Sequence, residues 1–252
     1  MNTKKMAITG NLMGIVLFLG SWQLLIWVFG IEKFVLPSPL SVMKIFLENW
    51  KMLFESAWPT LQEIVYGFSL SVCVGIPLAV IMVSYRRVEQ LISPILIFSQ
   101  TIPKVAIAPL FVIWFGFGML PKILIAFLIS FFPIVIDTSV GLKSVQQDML
   151  DLVASTGGSF WRSLRKVRLP HALPNIFGGL KLAITFATIG AIVGEFVGTS
   201  EGLGYVIQIA NGRLQTSLVF AAVILLSLMG LLLYNIVVLL EKKLIPWHIS
   251  QH

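Results

Sequence analysis

MLDLVASTGGSFWRSLRKVRLPHALPNIFGGLKLA, residues 149–183, holds the one strongly polar stretch of a 252-residue chain that is 57% hydrophobic and only 12% charged. Its pattern predicts two short helices around a Gly-Gly hinge. Residues 145–156 form the first. Gly157 and Gly158 permit a tight turn that a side chain would block. Ser159 is the expected N-cap of the second helix, which sets Trp161, Leu164 and Val167 on one side and Arg162, Arg165 and Lys166 elsewhere. Leu169-Pro170 is expected to end that helix, because proline cannot continue the hydrogen-bond ladder. Pro174 then resets the chain before the next apolar run. A compact helical knuckle of this kind has the shape of a docking surface.

The sequence around the knuckle needs lipid as solvent. Soluble domains carry about 25% charged residues, twice the share found here. A spanning helix needs roughly 20 mostly apolar residues. Residues 10–30, 64–84 and 215–240 qualify without a charge; 91–115 (with Lys104), 122–141 (with Asp137) and 176–198 (with Lys181 and Glu195) qualify with one or two. The expected fold is an all-α membrane protein of about six spans, one transmembrane domain over residues 1–252, with a polar loop at about 142–174. The run after Lys5 is too long for a secretory h-region and reads as a retained first span. After Pro37-Ser38-Pro39, apolar residues at helical spacing from Val42 to Phe54 predict an amphipathic helix on the membrane surface.

Lys and Arg are retained on the cytoplasmic side of membrane proteins. With the N-terminus inside, Arg86, Arg87, Lys143, the four basic residues of the knuckle, Lys242 and Lys243 are all cytoplasmic. Lys33, Lys44, Lys51, Lys122 and Arg213 fall outside. Both termini and the knuckle are therefore expected in the cytoplasm, which also accounts for most of the net charge of +7 without nucleic acid.

Ionisable residues inside a membrane are costly and point to function. Lys104 lies near the middle of the third span, flanked by Pro103 and Pro109, which break a helix where it lines a cavity. It either faces a translocation pathway and favours anionic solutes, or is a snorkelling or paired lysine. Asp137 and Lys181 lie at matching depth and are expected to form a structural ion pair. Glu195, near the outer end of its span, either helps close an outer gate or meets headgroup water. Gly67, Ser71 and Gly75, and again Gly190, Gly194 and Gly198, recur every four residues and let helices approach closely.

Several function classes are excluded. There is no G-x-x-x-x-G-K-[ST] phosphate loop, so the chain cannot hydrolyse ATP alone. The three histidines are scattered and the single Cys73 sits in an apolar run, so no metal site and no disulfide is expected. Nothing resembles a catalytic triad or a carboxylate dyad. A self-sufficient secondary transporter or channel would need inverted repeats or a pore signature, and neither is visible.

The knuckle resembles the EAA loop of binding-protein-dependent ABC importer permeases. Asp151 stands at the acidic position, Gly157 at the glycine, Val167 at the aliphatic position and Leu169-Pro170 at the end, all at matching spacing; Asp replaces the usual Glu, and Leu152-Val153 the usual small pair. Leu36-Pro37-Ser38-Pro39, Pro109-Leu110, Trp114-Phe115-Gly116, Phe131-Phe132-Pro133 and Gly202-Leu203-Gly204 are similar to the taurine/nitrate/sulfonate branch, as is the final Pro246-Trp247-His248. Ile102-Pro103-Lys104-Val105-Ala106 is instead similar to importers of pyrimidine thiamine precursors, riboflavin or aromatic acids. The resemblance implies a type I importer permease fold in a bacterial inner membrane. It implies a homodimer, two copies of a cytoplasmic ATPase that uses ATP and Mg2+, and an external substrate-binding protein. It implies that Asp151, Ala154, Gly157, Gly158, Ser159, Trp161, Arg162, Leu169 and Pro170 form the ATPase-docking surface; Lys104, Pro103, Pro109, Trp114 and Glu195, read from the spans themselves, are the candidate pathway residues. No cofactor is expected on this chain itself.

Overall fold

A computed structural model describes residues 3–157, 159–198 and 200–247. Gly158 and His248 lie outside the described residues, as does the side chain of Ala154. The described chain is helical: α1 Thr3–Phe29, α2 Pro39–Glu48, α3 Trp50–Ser84, α4 Arg86–Thr101, α5 Lys104–Phe115, α6 Met119–Lys143, α7 Gln147–Ser155, α8 Phe160–Ser163, a π turn at Leu164–Arg168, α9 Leu169–Gly198, α10 Leu203–Gly212 and α11 Thr216–Leu244. By its contacts the chain divides into two compact units, Met1–Trp58 with Glu201–Ser227, and Pro59–Ser200 with Leu228–His252.

In the first unit the Pro-Ser-Pro turn starts α2 as expected. Ser38 accepts from the Ser41 amide at 3.2 Å and Pro39 occupies the first helical turn, where its missing N–H costs nothing. The amphipathic helix is shorter than its apolar pattern suggested. It stops at Asn49, so Trp50, Leu53 and Phe54 belong to α3. Thr216 Oγ1 donates to the Phe34 carbonyl, and the Trp22 and Phe220 rings pack 5.5 Å apart.

The second unit is built around α6 and α9, which pack along each other. Ala126 of α6 is held between two glycines. A Cβ added at Gly67 would lie 2.6 Å from Ala126 Cβ, and one at Gly190 would lie 2.6 Å from Ala126 Cα. Gly75 packs against Ile134, Gly194 against Lys122, and Gly198 against Phe117. Ser71 and Ser130, both fully buried, hydrogen-bond at 2.7 Å. Small residues thus bring α3, α6 and α9 to backbone contact, where dispersion replaces the hydrophobic drive that lipid does not supply. Gly190→Ala is expected to destabilise the subunit by about 1–3 kcal/mol, since the new methyl meets backbone that cannot turn aside. Gly178→Ala, where a Cβ meets nothing within 4 Å, should be neutral or mildly stabilising. Thermal unfolding in detergent separates the two.

Among the described residues, four helical stretches are long and apolar enough to span a membrane: α3, α6, Phe160–Gly198 and α11. The third expected span is not one straight helix. It breaks at Ile102-Pro103 into α4 and α5, bent by 99°, and makes a fifth span if counted as one. Proline drives the preceding residue out of the helical region, and Ile102 sits at φ −70°, ψ 125°. The described apolar part of α1, Val16–Phe29, is shorter than a span. A second difference concerns Pro170. The helix does not end there but runs from Phe160 to Gly198 over 39 residues. The π turn explains this, because the Leu169 amide bonds back to the Leu164 carbonyl and the wider turn relieves the clash a proline ring makes with the carbonyl four residues earlier.

Candidate functional site

The knuckle forms at one end of the second unit. α7 ends at Ser155, and Gly157 turns the chain at φ +72°, a left-handed conformation suited to glycine. Ser159 Oγ then caps α8 by accepting from the Arg162 amide at 3.4 Å. Leu164 anchors the structure. It is buried with Leu142, Ala172 and Ile176 in one apolar cluster. Trp161, expected on the same side as Leu164, instead points out and is 65% exposed. Leu152 is equally exposed, and Gly157, Ser159 and Arg162 share the surface. Phe160 packs edge-on against Trp161, with the Arg168 guanidinium 5.7 Å from its ring centre. Asp151 accepts from Gln147 Nε2 at 2.9 Å within α7. Leu169 and Pro170 are half-buried in the first turn of α9, at the root of the knuckle rather than its tip. Large exposed apolar side chains on the one polar loop of the chain mark an interaction surface.

The charges within the spans pair differently from the sequence expectation. Lys181 does not meet Asp137; its Nζ lies 2.6 Å from Glu241 Oε2 of α11. Asp137 packs on Gly179 of α9, and residues two apart on a helix point to different faces, so Lys181 is turned away from it. At the end of the unit opposite the knuckle, Lys122 forms an ion pair with Glu63, their side chains 6% and 0% exposed. Lys122 was expected in an outer turn. Glu63 was missed because its span was expected to begin after it, whereas α3 starts at Trp50. Glu195 is fully buried and accepts from Thr60 Oγ1 at 2.6 Å, so it does not meet headgroup water. It also neighbours Glu63. The group ties α3, α6 and α9 together by charge.

Lys104 lies in the first turn of α5, just past the break. It lines a cleft of about 240 Å³ with Gln100, Phe132, Asp137 and Phe186. Its Nζ sits 4.7 Å from the Phe132 ring centre. Pro103 is the N-cap of α5 at the bend, while Pro109 and Trp114 are exposed farther along α5 and do not line this cleft. Among the described residues, no three His, Cys, Asp or Glu side chains are placed to hold a metal ion.

Comparison with known proteins agrees with this architecture. The chain is 39% identical to the riboflavin transport system permease protein of Chloroflexus aurantiacus, covering 94% of this chain and 89% of that one. It is 37% identical to the formylaminopyrimidine transport permease protein of Halalkalibacterium halodurans, covering 87% and 88%. It is 32% identical to the taurine transport system permease protein of Escherichia coli, covering 78% and 71%. Its fold is similar to that of a chain of the MetNI methionine ABC transporter in an inward-facing conformation, with a TM-score of 0.67 at 17% identity, over 78% of this chain and 97% of that one. Residues 71–246 match the family described as binding-protein-dependent transport system inner membrane component. The chain therefore belongs to that family, the membrane-spanning permeases of ABC importers.

Proposed function

We propose that this permease works as a homodimer with two copies of a separate cytoplasmic ATPase, which grip the knuckle, and with an external substrate-binding protein that delivers the cargo. The observation that carries this reading is the exposed tip, Leu152 and Trp161 around the Gly157 hinge, joined without a break to the 39-residue helix Phe160–Gly198. At 1.5 Å per residue that helix is about 58 Å long. A displacement at the tip can thus be carried along α9 towards Glu195 at the other end of the unit. ATP and Mg2+ belong to the ATPase. The permease supplies a docking surface, a lever and a path, and rocks between inward-open and outward-open states. The lysine and arginine distribution supports both termini and the knuckle lying in the cytoplasm, and we read the whole chain as one permease domain.

The cargo is a small polar or anionic organic solute of the sulfonate, taurine or nitrate kind. A second reading, a pyrimidine thiamine precursor, riboflavin or an aromatic acid, is favoured by the higher identity to the riboflavin and formylaminopyrimidine permeases. Proteoliposomes holding the permease, its ATPase and its binding protein should take up radiolabelled taurine, riboflavin or formylaminopyrimidine only when ATP is present. Uptake by the permease alone, without the ATPase, would overturn the reading.

A further inference from the structure

Lys104 and Asp137 line one cleft, yet they do not pair with each other: no ion pair within 4.0 Å joins them. Among the described residues Lys104 has only the Phe132 ring for company, and Asp137 has no hydrogen-bonding or ionic partner. Elsewhere in this unit Lys122 pairs with Glu63, Lys181 pairs with Glu241, and Glu195 accepts from Thr60 Oγ1. Lys104 and Asp137 have no such partner. Unmatched charges at membrane depth persist where water or a polar solute meets them.

The geometry favours a solute over a structural role. The α4–α5 break holds Lys104 at the cleft instead of along a continuous helix. Broken helices of this kind are tolerated in membranes where they line a cavity. Phe132, buried near the middle of α6, and Phe186 on α9 supply flat apolar walls. Lys104 alone would favour any anion. A carboxylate in the same cleft works against a simple anion, and against a simple cation the lysine does likewise.

We propose that this cleft is a two-pole cargo subsite. The Lys104 ammonium takes the anionic or accepting end of a small dipolar organic solute, the Asp137 carboxylate takes its cationic or donating end, and the two phenylalanines hold its body. The proposal rests on the reading of this chain as an importer permease, and it narrows the cargo from anions in general to solutes that carry both poles.

The test uses the full chain in nanodiscs, with Cys73→Ser removing the one native thiol and Leu182→Cys placing a reporter at the cleft mouth. A neutral maleimide labels the reporter. Taurine and 4-(aminomethyl)benzoate serve as dipolar probes of different length, with ethanesulfonate and benzylamine as single-pole controls. At least one dipolar probe is expected to slow labelling about tenfold more than either control, a difference of about 1.4 kcal/mol in affinity. Lys104→Met and Asp137→Asn should each remove that protection, while Lys104→Arg and Asp137→Glu keep it, which a misfolded or merely structural site would not do. The proposal is overturned if neither dipolar probe protects, or if protection survives in Lys104→Met and Asp137→Asn. Labelling does not depend on the ATPase, so failure of ATP-driven uptake would sink the broader reading and leave this result standing on its own.

Discussion

Replacing Gly157 by valine is expected to abolish ATP-driven uptake while the protein stays folded in the membrane. Gly157 sits at φ +72°, where a β-branched residue is strained by about 1–2 kcal/mol. A Cβ there meets nothing within 4 Å, so there is no clash inside the subunit. The strain is relieved by moving φ to negative values, which re-aims α8 and with it Trp161 and Arg162. The α6–α9 core lies elsewhere and is untouched. The loss therefore falls on docking, where removing the fit of a central contact typically costs about 2–4 kcal/mol, roughly 30- to 1,000-fold. Gly157→Asn is the informative control, because asparagine tolerates the left-handed region; it should retain most of the uptake. Membrane content by immunoblot and uptake in the same vesicles measure both halves. Normal uptake by the valine variant would remove the knuckle from the mechanism.

The second large effect is expected at the opposite end of the unit. Lys122→Met leaves Glu63 without its cation beside the equally buried Glu195. Breaking a buried ion pair by removing one partner costs about 3–5 kcal/mol, because the remaining charge is stranded away from water. Adding Glu63→Gln to Lys122→Met should recover part of that loss, since it removes one of the two buried carboxylates left behind, while Glu195 keeps its hydrogen bond from Thr60. Thermal unfolding in detergent distinguishes these cases. A single variant that melts with the parent would show that the pair does not hold the helices, and a double variant worse than the single would assign the loss to packing of the lysine stem.

What the sequence showed clearly was local. The Pro37-Ser38-Pro39 turn, the Ser159 cap, the turn at Gly157 and the contacts at Gly67 and Gly190 all depend on a few neighbouring residues and on small-residue spacing, which a linear reading can see. Pro103 marked the break in the third span, though not a bend of 99°. The misreadings were tertiary or arose where one local rule met another. The partner of Lys181 was sought at equal depth on α6, but the helix phase turns it to Glu241 of α11. Glu63 fell just outside the span expected at 64–84, whereas α3 starts at Trp50 and sets it in the helix beside Lys122. Pro170 was expected to stop a helix that a π turn carries past it. The cleft itself was half legible. Lys104 stood out as a charge in a span, but its shared cleft with Asp137 depends on how α4, α5, α6 and α9 pack.

The central claim is that the exposed tip of the knuckle is the surface gripped by a separate ATPase. The most direct measurement places a photoreactive p-benzoylphenylalanine at position 161, in place of the 65% exposed Trp161, in the importer co-expressed with its ATPase. Irradiation should produce one covalent adduct, identified by mass spectrometry as the permease joined to the ATPase, and Gly157→Val should remove it. Adducts with lipid alone, or an ATPase adduct unchanged by Gly157→Val, would contradict the account.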